Sequence, residues 1–381
     1  MRDGFRILDA DRHVVEPYGL WDAYLEAEFR PFAPRPMPFF AATGHSPSLA
    51  SPGAAAELPA MLVVGGKPIC RDMSPRAWAE IVHAARSRSF LGPLDRPETQ
   101  LAHMDADGID AAVLYPTYAL LIEGVDTLGP RLGAALARAY NRWLVDFVAT
   151  ARDRLFGVGL ISLHDPASMV AELRCAARAG FRAVAVRPNP VQGRRLSDDA
   201  YAPFWAECEE LSMAAVIHEG THAHLPTAGA DRFATRFARH TCSHPMEQMI
   251  ALLDLIEGGV FERHGRLRVA FLEAGCGWVP YWLARLDAEY AHLSREVERD
   301  VRRAPSTYFR QQAWVSADAD EPYLSALLPF IGADRVLFGT DFPHVDHDDG
   351  LVGIALARRP QLSNEDLRGY LWDNGAHLYG I

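Results

Sequence analysis

Five side chains of metal-ligating type stand at the ends of apolar runs: Asp11 and His13 in FRILDADRH, His218 in MAAVIHEG, Glu273 in LRVAFLEAG and Asp341 in RVLFGTDFPH. Asp11 and His13 are one residue apart, so a strand would turn both to the same side. A buried carboxylate stays ionised only when paired or ligated. Two imidazoles and three carboxylates form the donor set of a divalent metal, zinc, manganese or iron. Asp341, Glu273 and His244 (in HTCSHPMEQM) are candidate acids and bases. Tyr115, Arg187 and Trp278 are candidate contacts for an anionic or aromatic substrate. His344 and Asp346 are expected to orient Asp341 or a ligand histidine, and His222 and His224 to lie in the loop after strand five, either solvated or lining the pocket.

These residues need a scaffold that gathers strand ends. Eight short apolar runs are expected as strands: Phe5 to Asp11, Ala111 to Thr117, Leu155 to Ser162, Phe181 to Asn189, Met213 to Gly220, Leu267 to Gly275, Ala313 to Asp318 and Arg335 to His344. Helix-period segments lie between them, the pattern of parallel strands with crossover helices. Eight such units predict a (β/α)8 TIM barrel, in which the C-terminal strand ends carry the chemistry. The candidates fall on strands one, five, six and eight at that edge. His244 reads as the first turn of the helix after strand five.

Residues 1–381 read as a single metal-dependent barrel domain with one large irregular insertion, 17–97, after strand one. Twelve prolines and clustered aromatics occur there without a clear periodic element. A long loop leaving the active face is expected as a lid, the other reading being a packing extension or dimerisation arm, so a homodimer is possible.

Composition narrows the partners. The 381 residues are 49% hydrophobic, enough for a large core. The formal charge of −11 has no basic stripe to favour nucleic acid or an anionic membrane. A small-molecule substrate is the reading that remains. The charged N-terminus and the lack of a long apolar run predict a cytoplasmic protein. Five widely spaced cysteines suggest neither a disulfide framework nor a CxxC zinc site.

The motifs DADRHVVEP, MDADGIDAAVLYPT, VIHEG, SHPMEQM, FLEAGCGWVPYWLARLD, VLFGTDFPH and DNGAHLYG resemble the amidohydrolase-related branch of the amidohydrolase superfamily. That branch contains aminocarboxymuconate semialdehyde decarboxylase and the resorcylate-type decarboxylases. The resemblance runs from Ile7 to Gly380 and is thinnest over 17–97. It implies a metal on Asp11, His13, His218 and Asp341. In decarboxylase relatives strand six carries a histidine, and here Glu273 holds that place. Dinuclear members of the superfamily use a carboxylated lysine from strand four. The only lysine of this chain is Lys67, so none is expected, and a second ion would need Glu273 with Glu16 or His244. The resemblance implies metal-assisted hydrolysis or non-oxidative decarboxylation of a small, carbon-rich carboxylate. The alternatives are a dinuclear non-haem iron oxygenase on the same fold, or an inactive scaffold barrel.

Overall fold

The structure is a computed structural model and describes residues 1–45, 58–220, 222–345 and 350–381. Eight parallel strands follow one another around a sheet in chain order: β1 (Leu8–His13), β2 (Ala111–Tyr115), β3 (Leu155–Leu160), β4 (Ala183–Val186), β5 (Ala214–Ile217), β6 (Val269–Phe271), β7 (Ala313–Ala317) and β8 (Val336–Phe338). Every residue of β1 is buried, as are all those of β2, β4, β5, β6, β7 and β8. Strands enclosed on both faces read as near-continuous apolar runs, which is why most of them are so legible; β1 is the exception, with Asp9, Asp11, Arg12 and His13 buried in it. The fold is the (β/α)8 barrel, with strands shorter than the runs that announce them.

The barrel closes where β8 meets β1. The Asp11 carbonyl accepts from the amides of Thr340 (3.2 Å) and Asp341 (2.8 Å), and His13 N–H donates to the Phe342 carbonyl (2.7 Å). Asp9, fully buried, fastens the same seam. Its carboxylate accepts from Thr340 N–H (3.0 Å), Thr340 Oγ1 (2.6 Å) and the Arg12 guanidinium (3.2 Å). Arg12 is also fully buried; it donates to Gln100 and lies over the Phe342 ring. Gly339 makes the close approach possible, because a Cβ there would lie 2.6 Å from that of Asp11. One extra residue of β1 falls between the pairs Asp9↔Ala112 and Arg12↔Leu114. Such a bulge re-aims side chains at a barrel rim.

The described parts of the insertion, 17–45 and 58–97, hold more regular structure than their sequence suggests. They hold a three-stranded antiparallel sheet (Arg35–Met37, Met61–Val64, Lys67–Pro68) and a helix, Pro75–Ser87, whose cap Ser74 accepts from Ala77 N–H. The strands are too short for alternation to show. The proline and serine before the helix mask its Trp78, Ile81 and Val82 stripe. Trp21, Phe39, Met61 and Trp78 join the same buried cluster as the barrel. Among the described residues no helix is long and apolar enough to cross a membrane.

Removing the Asp9 carboxylate should leave Arg12 as an unpaired buried charge, which costs about 3–5 kcal/mol. Urea unfolding of Asp9→Ala checks this. A loss below about 1 kcal/mol would show that the seam does not depend on the pair.

Candidate active site

β1 and β5 deliver three ligand atoms to one point. Asp11 Oδ1 lies 3.4 Å from His218 Nε2 and 3.7 Å from His13 Nε2. All three atoms are buried and none makes a hydrogen bond, although buried polar atoms nearly always do. The second nitrogen of each ring explains the arrangement. His13 Nδ1 faces the Pro116 carbonyl at 2.9 Å, and His218 Nδ1 faces the Glu219 carbonyl at 3.0 Å. A carbonyl can only accept, so each Nδ1 carries a proton and each Nε2 is the nitrogen turned to the centre. This is the orientation that a divalent cation requires, and the residues fit one.

Electrostatics shows how the three groups share charge before a cation binds. Burial raises the Asp11 carboxyl, but the imidazoles of His13 and His218 outweigh it and hold the group below its ordinary range. Burial lowers the His13 imidazole, with His344 and His218 adding to the effect. At His218 the desolvation cost is overcome by Asp11 and Glu273, and the ring is pushed up to about 9. A cation bound here must displace that proton.

Two imidazole–carboxylate pairs flank the cradle. Asp341 Oδ1 sits 3.3 Å from His13 Nε2 and 2.7 Å from His344 Nδ1, and His344 Nε2 reaches Thr117 Oγ1 at 2.8 Å. Glu273 Oε1 is 3.2 Å from His244 Nε2, and its Oε2 is 3.3 Å from His218 Nδ1. Glu273 thus meets the nitrogen of His218 that is turned away from the centre. In this geometry it is a partner of two imidazoles. Burial raises its carboxyl, but His244, His218 and His344 bring it well below the ordinary range. Asp341 and Glu273 both have positive φ, 51° and 55°, a strained conformation that clusters at functional sites.

Several other expectations are corrected. His244 does not open its helix: Arg236–Glu257 is capped by Thr235, and Pro245 lies inside it, where its type resembled a first-turn proline. Gln248 fixes that helix by donating to the carbonyls of Ile217 and Leu272, both at 2.9 Å. Tyr115, Arg187 and Trp278 do not line the cavity. The Tyr115 hydroxyl is buried against that of Tyr379 at 2.6 Å, behind the His13 and His218 rings. Arg187 ties three strand-end loops together through the Leu120 carbonyl, Asn189, Glu219 and the Gly220 carbonyl. Trp278 packs edge-on to Phe271. Glu16 accepts from the amides of Thr117, Tyr118 and Ala119, and so holds the turn after β2 at the cavity. His222 and His224 dock the insertion through the carbonyls of Arg71 (3.0 Å) and Pro68 (2.6 Å). Asp346 lies outside the described residues.

His13 and His218 of the cradle line the floor of a cavity of about 530 Å³. Tyr18, Trp78, Ile81 and Val82 of the insertion form one wall, and Tyr118 and Leu121 after β2 form another. Sequence reasoning missed Arg86, Arg236 and His240, which also line it. The four-residue spacing of Arg236, His240 and His244 was the available signal.

Comparison with known proteins now bears on the site. The sequence profile of the family described as Amidohydrolase matches residues 8–381. The chain belongs to the amidohydrolase family. It is similar to the gamma-resorcylate decarboxylase of Rhizobium sp. (strain MTP-10005), 27% identical over 314 residues, covering 78% of this chain and 91% of that one. It is also similar to the 2-amino-3-carboxymuconate-6-semialdehyde decarboxylase of Dictyostelium discoideum, 26% identical over 249 residues, 65% of this chain and 66% of the relative. A solved structure of 5-carboxyvanillate decarboxylase from Novosphingobium aromaticivorans, with manganese and 4-hydroxy-3-methoxy-5-nitrobenzoic acid, superposes with a TM-score of 0.70. It is 21% identical and covers 100% of this chain and 97% of that one. The amidohydrolase chain described here is therefore a metal-dependent enzyme for a small organic substrate, a hydrolase or non-oxidative decarboxylase. These relatives give the dinuclear iron oxygenase alternative no support.

Two predictions follow from this geometry. Asp11→Ala and His218→Ala should each lower manganese retained after dialysis at least about tenfold, measured by mass spectrometry, with cooperative unfolding preserved. Full retention would place the metal elsewhere. One turn beyond His244, burial pushes the Glu247 carboxyl up to about 7, with Glu219 adding to it. The folded chain then holds a proton that the unfolded chain has already released, so stability falls as pH rises from about 4.5 to about 7. Glu247→Gln should be more stable than the parent above pH 7, by on the order of 2 kcal/mol. The difference should vanish below pH 4.5 in urea titrations.

Proposed function

We propose that the enzyme is a non-oxidative decarboxylase of aromatic carboxylic acids that carry a hydroxyl beside the carboxyl group. The observation that carries this is the cradle of three unpartnered, buried ligand atoms at the floor of a cavity with aromatic and aliphatic walls. Such walls hold a ring by buried apolar area. The decarboxylase names of the relatives support the same reading. A divalent ion, when bound, supplies a fixed positive charge that orients adjacent oxygens and withdraws electron density from the ring.

The chain's own residues do the rest. Asp11, His13 and His218 would hold the ion, their tautomers already set by the Pro116 and Glu219 carbonyls. Decarboxylation breaks the ring-to-carboxyl bond, leaves the electron pair on the ring carbon and releases carbon dioxide, so one proton must reach that carbon. We assign the proton to Asp341, which touches His13 at the cradle and shares a short contact with His344. His344 passes the replacement proton from the cavity. Glu273, kept ionised, steadies His218 through Nδ1 and holds His244 at the cavity wall. Tyr18, Trp78, Ile81 and Val82 of the insertion cover the ring and exclude water, the part of a lid.

The direct test is carbon dioxide release from manganese-loaded protein given 2,6-dihydroxybenzoate and related ortho-hydroxybenzoates, alongside matched esters and amides. Hydrolysis of esters or amides with no carbon dioxide from any acid would sink the proposal. Asp341→Asn should lower kcat about 10²–10⁴-fold, the range of a general acid, with bound metal unchanged. Loss of metal in that variant would make Asp341 a ligand instead.

A further inference from the structure

Away from the metal cradle, a buried cluster joins a histidine, a carboxylate and a hydroxyl. Ser162 and His164 follow β3, and Glu123 ends the helix Tyr118–Glu123 that follows β2. All three are buried. His164 Nδ1 lies 3.2 Å from Glu123 Oε2, and its Nε2 lies 3.1 Å from the Val125 carbonyl. Ser162 Oγ accepts from the His164 backbone N–H (3.4 Å) and donates to Glu123 Oε2 (2.6 Å), so that oxygen already serves as an acceptor.

Both ring nitrogens therefore face acceptors. A neutral imidazole has one N–H and one lone pair, and here the lone pair would meet an oxygen. The doubly protonated ring satisfies both contacts, with Glu123 as its counter-charge. Burial lowers the imidazole, but Glu123 outweighs it, the Val125 carbonyl and Asp126 add to the effect, and the ring is raised above its ordinary value. The helix Pro130–Val148 closes on the cluster at Gly133, which brings no charge; a Cβ there would lie 2.7 Å from Ser162 Oγ. The Tyr201 hydroxyl donates to the Leu163 carbonyl at 2.8 Å, and Arg194 and Asp198 act on that hydroxyl.

The two contacts grip Glu123 and Val125, just behind residues that form the cavity wall. Tyr118, Leu120 and Leu121 line the cavity. Gly124, between the grips, gives its carbonyl to His224 N–H at 2.8 Å. A helix of six residues is not stable alone, so the groups at its ends decide its place. Glu16 holds the first end, and burial pushes its carboxyl up to about 7. As pH rises Glu16 gains its charge, whereas His164 loses its own.

We propose that His164 is a positioning residue: its doubly protonated ring clamps the turn after the helix Tyr118–Glu123 and so sets the wall against which a substrate ring lies. This rests on reading the cavity as the substrate site and deepens that reading. The folded chain binds the proton more tightly than the unfolded chain does. The clamp's contribution is then full below about pH 6.5 and is lost as pH rises through the raised value.

Ring protonation is read from imidazole nitrogen spectra of isotope-labelled, zinc-loaded protein, the signal being assigned by its absence from His164→Gln. The ring should still carry two protons at about pH 7.5; a singly protonated ring there overturns the proposal. Amide exchange over 118–125 should be at least about tenfold faster in His164→Gln than in the parent at about pH 7, and the two should converge as pH rises through the ring's titration. Equal rates at the lower pH overturn the proposal. Salicylate should bind the manganese-loaded variant at least about threefold more weakly than the parent, with bound metal unchanged. Equal affinities overturn the positioning role. A parent that binds no salicylate overturns the substrate reading alone, because the spectra and the exchange still decide the clamp. If His164→Gln does not fold, Glu123→Gln takes its place: the ring should lose its second proton by about pH 7.5, and a ring still doubly protonated overturns the proposal.

Discussion

The carboxylates of β1 sit in a strand buried on both faces, and the structure is organised around giving each of them a partner. Asp9 has Arg12 and Thr340; Asp11 has two imidazoles and the place of a cation. The two tasks are joined through the backbone, because the Asp11 carbonyl receives the amides of Thr340 and Asp341. Closing the barrel and setting the distance between Asp11 and Asp341 are therefore one event. The positive φ of Asp341 costs on the order of 1–2 kcal/mol, and the seam is what holds it. Rigidity at this point serves chemistry, since a cradle displaced by even 1 Å loses its function.

Charge is layered outward from that point. The Nε2 atoms face the centre because backbone carbonyls occupy the other nitrogens. Behind His218 stands Glu273, and behind Glu273 stands His244. Beyond them Arg187 and Glu219 form an ion pair with both side chains fully buried. Such a pair contributes little net stability once desolvation is counted. Its use here is geometric, since Arg187 gathers the loops after β2, β4 and β5 at one atom cluster. Those loops carry Leu120, Asn189 and Gly220, and they set the cavity's inner wall.

The strands were legible because a doubly buried strand has no polar alternation to blur it. The ligands were legible because Asp11, His13 and His218 interrupt such runs, where an unpaired polar group is costly. Strand-end position alone does not say which way a side chain turns. Tyr115 and Arg187 end their strands as expected, yet one lies under the ligands and the other under the loops. Trp278 followed Glu273 closely in sequence but begins a helix that carries it into the core. Glu273 was read as a ligand because its type allows it; which nitrogen of His218 it meets is a matter of three-dimensional geometry. The helix Pro75–Ser87 was missed because local punctuation outweighed a short apolar stripe.

The same contrast explains why the site's chemistry can be read further than its specificity. A metal cradle accepts few residue types, at spacings fixed by the strand period, so it leaves a trace in sequence. An apolar wall acts through area, roughly 25 cal/mol per Å², and many side chains supply the same area. The walls here come from 17–97 and from the loop after β2, where Trp78, Ile81, Val82 and Leu121 could be exchanged for others without a visible rule. Arg236 was overlooked because the helix seemed to begin after it. Once the helix is seen to start at Arg236, its period of 3.6 residues places the arginine, His240 and His244 on one face, and all three line the cavity.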